Sequence, residues 1–197
     1  MSRPKNKEEA IVSAAITVFM EKGFSNASIK DIANSAGVGK GTVYEYFKNK
    51  DDLFIQAANY GANQRYLQVR DIIASKKMFI DKLKDLIYDA QEAAEASIDW
   101  FEFFIINGYA GLSVEAKVEF QSLLHTLTSK IVGIYSDLLA QGVSEGIIRE
   151  QDLRFTSSAI LELIAGYSRQ FYHKDWSNEQ KQEESSKLVN FIMNGIG

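Results

Sequence analysis

Three observations predict an all-α fold of about nine helices. The single proline of the 197-residue chain is Pro4, so nothing beyond it forces a helix break. Apolar residues recur at helical spacing in one segment after another, and no alternating run bounded by turn residues reads as a strand. Glycines and capping residues stand where those segments would start and stop.

The first helix runs from about Lys7 to Lys22 and stops at Gly23. Its Ile11, Ala14, Ala15, Val18 and Phe19 fall at i, i+3, i+4, i+7 and i+8, one face of an amphipathic helix. Ser28 opens the second with Asp31 three residues on, a capping-box-like start, and Gly37 ends it. The third spans about Lys40–Phe47. Asn49-Lys50-Asp51-Asp52 then caps a long fourth helix reaching about Ala74. Met78–Glu95 is the fifth, with Ile80, Leu83, Ile87 and Ala90 on one face. Asp99–Asn107 is a short, strongly aromatic sixth. Ser113 opens the seventh, which runs to Gln141 and is broken by Gly142 and Gly146. Its Val114, Val118, Leu124, Leu127, Ile131, Ile134, Tyr135 and Leu138 make a wide apolar face. Asp152–His173 and Ser177–Asn194 complete the set, the last opened by a second capping box, Ser177 to Gln180.

Composition removes several classes of function. The absence of cysteine excludes a disulfide framework, thiolate metal sites and a cysteine nucleophile. The two histidines, His125 and His173, are too few for a multi-histidine centre, so no metal and no cofactor is expected. The longest charge-free runs, Leu53–Gln64 and Phe103–Val114, are 12 residues each. A membrane-spanning helix needs about 18 or more, so no membrane partner is expected and the protein reads as cytoplasmic.

Charge is uneven along the chain. Residues 1–50 hold eight Lys/Arg against five Asp/Glu, a net +3, while the remainder holds 14 against 21, a net −7. A basic head on an acidic body suggests that only the head meets a polyanion. The division is placed at a head over residues 1–52 and a body over 53–197.

The segment Ile29–Phe47, IKDIANSAGVGKGTVYEYF, has the pattern of a helix-turn-helix. Ala33 is small where a second helix would cross close above it, and Gly37 permits positive φ in the turn. Ile32, Val38 and Val43 would fill the wedge between the helices. Such a unit presents its second helix to the DNA major groove. Lys40, Gly41, Thr42, Tyr44 and Tyr46 would then face the groove. They supply a cation, an uncovered backbone, a hydroxyl and two phenols, which suit phosphate and base-edge contacts.

These residues also resemble a known family. Gly23-Phe24, Ser28-Ile29, Asp31-Ile32-Ala33, Ala36-Gly37-Val38, Lys40-Gly41-Thr42-Val43-Tyr44 and Tyr46 through Leu53 are similar to the N-terminal domain of TetR-family transcriptional regulators, over about residues 7–58. The resemblance implies a homodimer with a three-helix DNA-binding head and a ligand-binding helical body. It also implies repression of a palindromic operator, relieved by a small molecule. Carried over by position, it adds Ser28 and the phosphate contact Lys50 to the DNA-facing set. One departure is Gly39, where the family often has a Ser or Thr cap; the exchange removes a hydroxyl that could touch a phosphate.

The body contributes further candidates. Asp99–Tyr109 packs seven large apolar side chains into one short segment, more than a single buried face can take. Trp100, Phe103, Phe104, Phe120, His125, Tyr135, Tyr167 and Phe171 are therefore candidates to line a largely apolar effector site. For the dimer, Ala159, Ile160, Leu163, Ile164, Gly166 and Tyr167 form one apolar face, and Leu188, Phe191 and Ile192 another. Packed on a two-fold mate, these would give an isologous four-helix interface.

Two other readings stand beside this one. Gly142-Val143-Ser144-Glu145-Gly146 matches the G-x-S-x-G elbow of hydrolases, with Asp152 and His173 following in hydrolase order. The elbow needs a strand before it, whereas a long helix is predicted there. The second alternative is a ligand-binding helical module without DNA binding.

Overall fold

The computed structural model describes residues 6–96, 109–171 and 176–197. Among them are eight α-helices and no strand. They are α1 (Lys7–Asn26), α2 (Ile29–Ala36), α3 (Lys40–Tyr46), α4 (Lys50–Ile73), α5 (Phe79–Ala96), α6 (Val114–Ser144), α7 (Leu153–Ser168) and α8 (Asn178–Ile196). Short 3₁₀ turns occupy Tyr109–Gly111 and Arg169–Phe171. The helix expected at Asp99–Asn107 lies outside the described residues. No described helix is long and apolar enough to cross a membrane.

Local chemistry explains the boundaries. Asn6 caps α1 by accepting the Glu9 N–H at 2.8 Å. Ser28 and Asp31 make a full capping box at α2, and Ser177 and Gln180 make another at α8. Gly37 ends α2 with φ 67°, a left-handed conformation that costs a residue with a Cβ. Two expectations are corrected. Gly142 does not break α6; the helix passes through it to Ser144, and the left-handed residue is Gly146, at φ 68°. Gly142 serves packing instead, because a Cβ there would come within 2.9 Å of the Phe79 ring. The Asp152 helix ends at Ser168, not at His173, and tightens into the Arg169–Phe171 turn.

The chain forms two compact units. One holds the described residues through Gln64 and from Tyr109 to Thr126; the other holds those from Arg65 to Ala96 and from Leu127 onward. The first is built on an aromatic centre. Phe54 lies 5.3 Å from Phe19, 5.0 Å from Phe24 and 5.8 Å from Phe120, ring centre to ring centre. Ile11, Ala15, Ile32 and Val43 pack into the same core. The second unit centres on Phe79, Leu83 and Ile87 of α5, Leu138 of α6, Ile160 and Ile164 of α7, and Leu188 and Ile192 of α8.

Candidate nucleic-acid interface

The second helix of the helix-turn-helix is α3, and its two sides differ. Val43 is fully buried and Phe47, which follows the helix, is 3% exposed; together with Ile32 and Ala33 they join α3 to α1 and α2. The opposite side is open. Lys40 and Gly41 are exposed, Tyr44 and Tyr46 are 49% and 45% exposed, and Thr42 is half-buried. The Lys40 ammonium lies 5.7 Å from the centre of the Tyr44 ring, so a cation and a phenol share one surface. Gly39 caps α3 without a side-chain hydrogen bond, which leaves the first N–H groups of the helix to solvent or to an anion.

Ser28 is exposed at the N-terminus of α2. Its backbone N–H donates to Asp31 at 3.1 Å, and its hydroxyl oxygen accepts the Asp31 N–H at 3.1 Å. Lys22 pairs with Asp31 at 2.9 Å. Lys22 and the Ser28 donors hold the Asp31 carboxyl far below the usual carboxylate range, at about 2.

Lys50 is placed differently from the expectation. Its Nζ donates to the carbonyls of Phe24 at 2.8 Å and Ala27 at 3.1 Å, and lies 4.4 Å from the centre of the Phe24 ring. A cation at the N-terminus of its own helix opposes the helix dipole. Turned onto carbonyls at the C-terminal end of α1, it finds negative partial charge instead. Lys50 thus ties the start of α4 to the end of α1 beside Ser28, and its ammonium is engaged with these two carbonyls.

The effector candidates are not gathered into one place. Phe120 is fully buried in the first core, 6.4 Å from the Tyr109 ring, and His125 is exposed on α6. Tyr135 is buried in the second core, where burial pushes its phenol pKa up. Tyr167 is half-buried and donates a hydrogen bond to Glu184. Trp100, Phe103 and Phe104, and the side chain of Phe171, lie outside the described residues, as does His173. An open groove of about 480 Å³ in the first unit is lined by Ile55, Gln56, Val118, Glu119, Ser122 and Thr126 among others, and holds none of these candidates.

The hydrolase reading loses its geometry. Ser144 is the last residue of α6, and its hydroxyl donates to the Gln141 carbonyl at 2.8 Å. Asp152 caps α7 by accepting the Phe155 N–H at 3.0 Å. Neither is arranged as part of a nucleophile elbow.

The expected dimer face divides in two. Ile160, Ile164, Leu188 and Ile192 are buried within the protomer, because α7 and α8 turn these residues onto α5. Ala159, Gly166 and Phe191 are exposed, and Leu163 and Tyr167 are half-buried. Phe155, one turn before Ala159, is 72% exposed, and Phe191 is 66% exposed.

Sequence reasoning missed a buried polar group in the second unit. Gln91, Ser168, Lys181 and Ser185 are all at most 4% exposed. For two of them the signal was present, since each continues an apolar stripe at four-residue spacing: Leu83-Ile87-Gln91 and Ile160-Ile164-Ser168.

Residues 11–57 match the family model of bacterial regulatory proteins, tetR family. The chain is 27% identical over 193 residues to the HTH-type transcriptional regulator YvdT of Bacillus subtilis, covering 97% of this chain and 95% of that protein. It is 27% identical over 174 residues to the fatty acid metabolism regulator protein of Bacillus subtilis, covering 83% and 82%. Its fold is similar to that of the transcriptional regulator FadR from Bacillus subtilis in complex with stearoyl-CoA, with a TM-score of 0.72, 23% identity, and 95% and 98% of the two chains covered. The N-terminal segment, residues 11–57, is thus a helix-turn-helix domain of the bacterial tetR type, on a chain that resembles TetR-family transcriptional regulators along its length.

Proposed function

We propose that the protein is a repressor that binds a palindromic operator and is released from it by a small, largely apolar effector. The observation that carries this reading is α3 itself. Val43 anchors it while Lys40, Gly41, Tyr44 and Tyr46 are left facing outward. These groups, with Thr42 and Ser28, offer the donors and phenol edges that a major groove and its flanking phosphates accept. An operator palindrome requires a two-fold dimer, and the exposed Phe155, Ala159, Gly166 and Phe191 on α7 and α8 supply a surface for it. The protein works on cytoplasmic DNA as a regulator and not as an enzyme, with no cofactor.

Acyl thioesters of coenzyme A are the effector class supported first. One relative along most of the chain is a fatty acid metabolism regulator, and a regulator of similar fold is in complex with stearoyl-CoA. The test is a mobility shift of the DNA upstream of the protein's own gene, with stearoyl-CoA added. A shift reversed by stearoyl-CoA supports both halves of the reading. A shift unaffected by it supports the DNA half alone, and no shift contradicts the whole.

A further inference from the structure

The residue that α3 turns most directly away from the core is an acid. Successive residues of a helix stand about 100° apart, so with Val43 on the buried side Gly41 and Glu45 fall within about 20° of the opposite direction. Lys40 and Tyr44 lie to one side of that line, and Thr42 and Tyr46 to the other. Glu45 is exposed, and its carboxylate enters no ion pair or hydrogen bond among the described residues.

Helical side chains lean toward the N-terminus of their helix, over the residue one turn earlier. For Glu45 that residue is Gly41, which is exposed and has nothing within 4 Å of where a Cβ would stand. A glycine inside a helix weakens it, and this one permits no close packing in return. What it does is leave the outer ridge of α3 bare beside the Glu45 carboxylate.

A carboxylate on that ridge is a liability against DNA as a polyanion. B-DNA carries one negative charge about every 1.7 Å of its axis, and the phosphates line both edges of the groove. Lys40 and the two phenols suit those edges, whereas Glu45 is repelled there. The groove floor is different. Guanine and thymine present acceptors, and adenine sets its N7 acceptor beside the N6 donor, but cytosine presents the N4 amino donor alone. An ionised carboxylate only accepts, so it matches cytosine and conflicts with guanine and thymine.

We propose that Glu45 is a specificity-determining residue of the DNA-binding head, its carboxylate accepting a hydrogen bond from the N4 amino group of one cytosine in each operator half-site. The proposal rests on the reading of α3 as the groove-facing helix and sharpens it to the base selected. Repulsion by phosphate weakens binding to DNA of every sequence, and the cytosine contact offsets this only at the right site. Glu45 therefore acts chiefly by rejecting wrong sites.

The experiment is selection of bound duplexes from a randomised pool of double-stranded DNA, using the full chain as wild type, Glu45→Ala and Glu45→Gln. Binding isotherms on the wild-type consensus and on a random-sequence duplex follow. The position is exposed, so all three proteins should melt alike. The wild type is expected to fix one cytosine per half-site, and exchanging that C·G pair for T·A should cost it about tenfold in affinity. In Glu45→Ala the same position should become unselected while the rest of the motif stands. In Glu45→Gln it should turn to adenine, because an amide both donates to N7 and accepts from N6. Both variants should bind the random duplex more tightly than the wild type does.

One consensus shared by all three proteins would overturn the assignment of Glu45 and leave α3 as the reading helix. An equal gain in affinity for every sequence in Glu45→Ala would do the same, since a carboxylate that meets only phosphates gives that result. A wild type that selects no sequence and binds no duplex would overturn the groove-facing reading of α3 itself.

Discussion

The Lys50 ammonium sits 2.8 Å from the carbonyl oxygen of Phe24, joining the first residue of α4 to the last turn of α1. Two residues beyond α1 stands Ser28, whose capping box starts α2. A lysine at this place acts on DNA binding by holding the head in shape. Lys50→Met should lower the melting temperature by about 5 °C, since a hydrogen bond from a charged donor contributes about 2 kcal/mol. It should leave the slope of log affinity against log salt unchanged, whereas Lys40→Ala should flatten that slope by about one unit. Parallel melts and binding isotherms at several salt concentrations separate the two roles. A Lys50→Met slope flattened as much as that of Lys40→Ala, with no loss of stability, would restore Lys50 as a phosphate contact.

Tyr44→Ala and Thr42→Ala should each weaken DNA binding while leaving the helical circular-dichroism signal and the melting temperature close to wild type. Tyr44 is half open to solvent, so its truncation exposes little core. Val43→Asp should do the opposite. Val43 is fully buried, and a carboxylate there costs several kcal/mol. The reverse pattern, with Val43→Asp well folded and Tyr44→Ala unfolded, would mean that the faces of α3 are wrongly assigned.

Asp31 makes α2 sensitive to acid. Its carboxyl is held at about 2, well below the ordinary aspartate range, first by the Lys22 contact and then by the Ser28 donors. A depressed carboxyl contributes stability that is fully present above its unfolded pKa and is lost as pH falls toward the folded value. The wild type should therefore lose stability relative to Asp31→Asn between about pH 5 and pH 2. Above pH 5 the difference between the two proteins should be flat. Denaturant melts across this range check it, and two curves that stay parallel down to pH 2 would contradict the assignment.

Dimer contacts are expected where apolar residues remain uncovered. Phe191→Asp, at a position 66% exposed in the protomer, should convert the dimer toward a 22.1 kDa monomer and preserve the fold of each chain. Ile192→Asp, one residue on but 4% exposed, should unfold the second unit outright. Sedimentation at micromolar concentration reads both. A Phe191→Asp protein that remains dimeric would move the interface away from this part of α8.

Much of this molecule is legible from local rules. The capping boxes at Ser28 and Ser177, the left-handed Gly37 and the buried Val43 follow from spacing that one helix and one turn impose, so short windows of sequence reveal them. Features that depend on which helices meet were not legible. Periodicity marks Ile160, Ile164, Leu188 and Ile192 as apolar, but it does not say whether α5 or a second chain covers them. Lys50 looks like any cation at a helix start until the fold brings the Phe24 and Ala27 carbonyls beneath it. Gly142 looks like a break in α6 because its need for close approach to Phe79 comes from a residue 63 positions away in sequence.

The most direct test of the account is the salt dependence of binding to the DNA upstream of the protein's own gene. With about 4–6 phosphates neutralised per head, the slope of log affinity against log salt should be about −4 or steeper. It should be shallower in a protein carrying Lys40→Ala. A wild-type slope near zero, or no binding at low salt, would contradict the reading of α3 as a groove-facing helix.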